Sequence, residues 1–96
     1  MRVDHDAVGV PTLAAAVPEL LLCTSCSENF GLYRERTGAL SLIADTPSAT
    51  TAAGSVMLGQ IRNFYSMPPA HGAAIVARIL SQPTLSAQWQ GELNAM

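Results

Sequence analysis

Residues 24–36 read TSCSENFGLYRER and lie between two apolar runs, ELLLCTS (19–25) and TGALSLIAD (37–45). Each run is compact, lacks strict polar alternation and ends in β-branched or turn-forming residues. That pattern predicts two strands buried on both faces. Between them Asn29 and Gly31 supply turn conformations, so SENFG (27–31) reads as a loop. The fold therefore hinges on a loop held between two strands.

Upstream, residues 1–10 are mixed and polar, with Gly9 and Pro11 as breakers. Pro11 suits the first turn of a short helix through TLAAAV, where its missing N–H is no loss, and Pro18 ends that helix. Downstream, Thr46-Pro47 reads as an N-cap followed by proline at the first helical position. Ala53, Val56, Met57, Ile61 and Phe64 then recur at three- and four-residue steps, which predicts one buried helix face. SMPPAHG (66–72) is a connector, AAIVARILSQ a further helix, and Gln82-Pro83 a break before TLSAQWQGELNAM, with Leu85, Trp89 and Leu93 on one side.

The fold class is α/β, with two strands and three to four helices. Two strands do not make a stable sheet alone. Strands buried on both faces also need covering layers that 96 residues barely provide. The order reads as an incomplete slice of a larger α/β domain.

Composition points the same way. Hydrophobic residues make up 49% and charged residues 12%, against roughly 25% charged in ordinary soluble domains. So few charges cover a globule poorly, which implies a partner surface. The net charge of −2, without a basic run, argues against nucleic acid. The longest apolar stretch, VPELLLC (17–23), contains a glutamate and is far short of a membrane span, and MRVDHDAVG lacks the basic flank of a secretory signal. The expectation is a soluble cytoplasmic chain. All five basic residues are arginines, so the only aliphatic amine is the α-amino group of Met1. Lysine Schiff-base chemistry is closed to this sequence.

SCSENFGLYRERTGAL (25–40) resembles the lysine loop of aspartate and aromatic amino-acid aminotransferases, and IRNFYSMPPAHGA (61–73) resembles the segment that follows it in that family. The resemblance runs from about residue 4 to residue 96, covering about a quarter of such an enzyme. It implies part of the large pyridoxal-phosphate-binding domain, with the start of the following helical segment, in a dimeric enzyme using an amino acid and a 2-oxo acid. Ser25 matches the serine whose hydroxyl binds the cofactor phosphate, and Arg36 the arginine that pairs with it. Arg62 and Ser66 match residues that reach the neighbouring subunit's substrate site. YSMPP (65–69) leans toward the aromatic-using branch.

Glu28 is the departure, standing where the family has the lysine that forms the Schiff base and moves the proton. A carboxylate does not condense with an aldehyde. By the resemblance, the aspartate paired with the pyridine nitrogen and the aromatic stacked on the ring belong upstream of residue 1, and the arginine gripping the substrate α-carboxylate belongs beyond residue 96. Read without the resemblance, Ser25 and Arg36 are a capping serine and a surface arginine, Arg62 a solvated helix-end arginine, and Glu28 an exposed loop residue.

Cys23 and Cys26 form a C-x-x-C, but the first lies in a strand, so buried structural thiols are expected rather than a redox pair. With His5 and His71 they are too scattered for zinc, and no metal is expected. His71 is expected to position a helix start, and Trp89 to be a core contact of the last helix. Two functions stay open: an aminotransferase-type chain inactivated at Glu28, or a non-catalytic remnant that self-associates or docks on a related chain. A decayed reading frame without a role is a third.

Overall fold

A computed structural model describes residues 3–96. A single turn, α1 (Val3–Asp6), precedes α2 (Gly9–Ala16). Strands β1 (Leu20–Ser25) and β2 (Gly38–Ile43) follow, then α3 (Pro47–Tyr65), α4 (His71–Ser81) and α5 (Pro83–Ala95). The described residues thus form an α/β arrangement of two strands, four longer helices and one short turn.

Local chemistry sets most boundaries. Val17 is already extended before Pro18, which disfavours helix in the residue it follows. The Thr46 side chain accepts the Ala49 N–H at 3.1 Å, capping α3, and Pro47 occupies its first turn. Pro83 holds Gln82 extended, so one residue separates α4 from α5. The N-terminal reading needs correction: Gly9 opens α2 instead of breaking it, and Pro11 is its third residue. That position is still within the first turn, where an absent N–H costs nothing.

The strands pair antiparallel, from Leu20 opposite Ile43 to Ser25 opposite Gly38. This register puts Leu21, Cys23, Leu40 and Leu42 on one face and Leu20, Leu22 and Ile43 on the other. The second set is half-buried, whereas Leu21, Cys23 and Leu40 are exposed. The expected burial of both faces is therefore corrected: the apolar pattern is there, but one face is bare apart from the half-buried Leu42. Each strand has a single partner among the described residues, so both outer edges are open.

Helix α3 packs on β2, α4 on α5, and α1 also meets α5. Leu93 is the one apolar side chain in the buried class among the described residues, 4% exposed. On α3, Met57 and Ile61 are half-buried, but Val56 and Phe64 stand 64% and 80% exposed, so the expected face is only partly covered. The chain has 7333 Å² of accessible surface, against about 5,300 Å² for a compact monomer of its mass. Its radius of gyration is 15.5 Å, where about 12.5 Å is usual for this length. No helix among the described residues is long and apolar enough to cross a membrane.

Candidate functional site: the loop between the strands

The twelve residues 26–37 join β1 to β2, and their ends are clamped. The Cys26 N–H donates to the Thr37 carbonyl at 3.0 Å, one step beyond the Ser25–Gly38 pair. Gly38 is required there, because a Cβ would run into the Thr24 carbonyl oxygen. Within the loop, the Leu32 N–H returns to the Cys26 carbonyl and the Gly31 N–H to the Glu28 carbonyl, each at 3.2 Å. The latter turn uses the positive φ of Gly31, 64°.

Ser25 closes β1. Its Oγ accepts the Ser27 N–H at 3.1 Å and donates to the Ser27 Oγ at 3.0 Å. Arg36 lies at the far end of the loop with φ of 52°, and its Nη1 donates to the Tyr33 carbonyl at 3.0 Å. Both side chains line one open cavity of about 230 Å³, together with Thr24, Ser27, Thr37 and Gly38. An anion entering it would meet a hydroxyl and a guanidinium with most of its N–H groups uncommitted.

Glu28 does not line that cavity. It borders a neighbouring one of about 370 Å³ with Ser25, Ser27, Asn29, Leu93 and Met96. Ser25 and Ser27 thus form the wall between a basic side and an acidic side. Glu28 itself is exposed.

Arg62 and Ser66 are placed elsewhere. They sit together at the C-terminal end of α3, where the Ser66 N–H donates to the Arg62 carbonyl at 3.2 Å and Ser66 takes a positive φ of 62°. Both are exposed, and neither lines the Ser25–Arg36 cavity. The expectation of buried thiols is corrected: Cys23 is exposed, Cys26 is half-buried, and both are free. Among the described residues, no three His, Cys, Asp or Glu side chains gather into a group that could hold a metal.

Two contacts at this loop carried no signal in the sequence. Trp89 does more than fill the last helix: its indole N–H donates to the Asn29 carbonyl at 2.7 Å, and its ring stacks on Phe30 at 4.7 Å between centroids. At the other end of the loop, His71 Nδ1 donates to Glu35 Oε2 at 2.8 Å.

The strand–loop–strand unit followed by three helices is an arrangement this chain shares with solved aminotransferase structures. The model of the family described as aminotransferase class I and II matches residues 1–96, and the chain belongs to that family. It is 46% identical over 94 residues to the aromatic-amino-acid aminotransferase of Paracoccus denitrificans, covering 97% of this chain and 24% of the relative. It is 47% identical over 93 residues to the aspartate aminotransferase of Escherichia coli K12, again over 97% of this chain and 24% of that one. Among solved structures it resembles the aromatic-amino-acid aminotransferase of Burkholderia pseudomallei covalently bound to pyridoxal phosphate. There the TM-score is 0.89 and the identity 43%, over 94% of this chain and 23% of the other. The chain spans about a quarter of the length of these relatives.

Proposed function

We propose that this chain carries the phosphate-binding side of an aminotransferase cofactor site without the chemistry of the Schiff base. The observation that supports this is the separation of charges across Ser25 and Ser27: Arg36 on one side, Glu28 on the other. Pyridoxal phosphate, when bound in this family, supplies an aldehyde that takes up an amino group and a ring that withdraws electrons. The Arg36 guanidinium would pair with its phosphate. The Ser25 hydroxyl would turn its proton from Ser27 to a phosphate oxygen. Glu28 offers a carboxylate where an amine is needed, and no lysine is present to replace it.

In this reading residues 1–96 are part of the large cofactor-binding domain and the start of the helical segment after it, from a cytoplasmic enzyme type that moves an amino group between an amino acid and a 2-oxo acid. Arg62 and Ser66 would serve a neighbouring subunit's substrate site, which their exposed position apart from the Ser25–Arg36 cavity supports. The test is calorimetric titration with pyridoxine 5′-phosphate and with pyridoxine, neither of which has an aldehyde to react with Met1. Only the phosphorylated compound should bind, and Arg36→Ala should abolish the heat. Equal binding of both, or binding unchanged by Arg36→Ala, would remove the phosphate reading.

A second reading rests on the excess surface. About 2,000 Å² more than a compact monomer shows exceeds the roughly 800 Å² each partner contributes to a standard interface. The bare sheet face and open edges would be covered by a second copy or by a related aminotransferase chain. Sedimentation at two well-separated concentrations checks this; a monomer at both, unaffected by an added aminotransferase chain, would count against it.

A further inference from the structure

We infer that the N-terminus of α4 is a positioning element for Arg36, acting through the residues on either side of it. This rests on the phosphate reading of the Ser25–Arg36 cavity. Glu35 is tied to α4 by the His71 Nδ1 hydrogen bond at 2.8 Å. Thr37 lies against Gly72, the buried second residue of α4, so closely that a Cβ at 72 would collide with Thr37 Oγ1. The same Cβ would lie 3.1 Å from both Glu35 Cβ and Thr37 Cβ, tighter than an ordinary contact. Both neighbours of Arg36 therefore abut one helix turn.

Arg36 between them has a φ of 52°, a backbone state that a non-glycine residue adopts only when its surroundings hold it. The Thr37 carbonyl also accepts the Cys26 N–H, immediately after Ser25. A shift of Thr37 would thus change the spacing between Arg36 and Ser25 directly. Glu35 and His71 touch no part of the cavity, and neither does Gly72. Their role is to fix where the guanidinium stands, and a misplacement of about an ångström is enough to cost a phosphate contact much of its strength.

The experiment follows the Arg36 side-chain N–H resonances by nitrogen-15 NMR while pyridoxine 5′-phosphate is added to the full chain. The parent should show a saturable shift at Arg36. Gly72→Ala should weaken that binding by about ten-fold, and Thr37→Ala in the Gly72→Ala background should restore much of it by removing the colliding oxygen. Should Gly72→Ala not fold, Glu35→Ala serves, since the hydrogen bond it cuts is partly exposed. Binding should weaken there and recover in Glu35→Gln, which keeps a hydrogen-bond acceptor. A purely structural role would lower the unfolding midpoint but leave the affinity of the folded chain unchanged, and that result would overturn the inference. A parent titration with no shift at Arg36 would overturn the phosphate reading itself, and the positioning role with it; the two failures are distinct.

Discussion

Replacing Trp89 by Phe removes one atom pair of known geometry while keeping a ring on Phe30. The lost bond is the indole N–H to the Asn29 carbonyl, 2.7 Å long and spanning sixty residues of sequence. A single hydrogen bond of this kind contributes about 0.5–1.5 kcal/mol net, so its loss should cost about 1 kcal/mol. The stack itself, with centroids 4.7 Å apart and planes 11° from parallel, is worth a further ~0.5–1.5 kcal/mol beyond buried area. Trp89→Phe should therefore lower the urea midpoint, followed by far-ultraviolet circular dichroism, by about 1 M at a slope of about 1 kcal/mol/M. Trp89→Ala should lower it by at least twice as much. The effect should also be local. Amide exchange at Gly31, whose N–H closes the turn on Glu28, should quicken in Trp89→Phe by about five-fold, the factor that 1 kcal/mol sets. A falling midpoint with unchanged exchange at Gly31 would mean that Trp89 only fills space, and the claim that α5 holds the loop would be refuted.

Three further substitutions test other parts of the architecture, each read by urea unfolding in a stabilising osmolyte so that folded baselines persist. Gly38→Ala should destabilise by about 1–3 kcal/mol through overpacking against the Thr24 carbonyl, at the base of the loop. Thr46→Ala should cost about 1 kcal/mol, because the Ala49 N–H loses its acceptor. Leu93→Ala should cost about 2–3 kcal/mol, toward the low end for a buried leucine because the surroundings are thinly packed.

What the sequence revealed and what it hid divide by range along the chain. The strands were legible from their apolar runs, within a residue or two of Leu20–Ser25 and Gly38–Ile43. The start of α3 was legible from Thr46-Pro47, because a cap is a contact over three residues. The turn α1 was not, since four residues hold no periodicity to read; the first-turn place of Pro11 was legible, but Gly9, which reads as a breaker, opens the helix. Periodicity named the face of α3 but not how much would cover it, hence Phe64 exposed at 80%. The same holds for Leu21 and Cys23: a strand can be written for burial on both faces and still show one to solvent.

Ser25 and Arg36 stand out in the sequence because they fall in a long motif, and the loop's clamped ends bring both to one cavity. The contacts supporting that cavity were hidden. Glu35 finds His71 thirty-six residues away and Trp89 finds Asn29 sixty away, and neither pairing leaves a pattern in the intervening sequence. Gly72 gave a faint sign, a glycine in the first turn of a helix, whose reason is the close approach of Thr37.

The central claim is a phosphate contact retained without the amine that makes the chemistry. It is tested most directly by incubating the chain with pyridoxal phosphate, an aromatic or acidic amino acid and a 2-oxo acid, and measuring the new amino acid formed. The account expects no formation above cofactor alone. It expects the same for Glu28→Lys, because among the described residues the Ser25–Arg36 cavity is lined by neither a carboxylate for the ring nitrogen nor an aromatic ring to stack on it. Turnover by the unmodified chain, abolished by Arg36→Ala, would contradict the account outright.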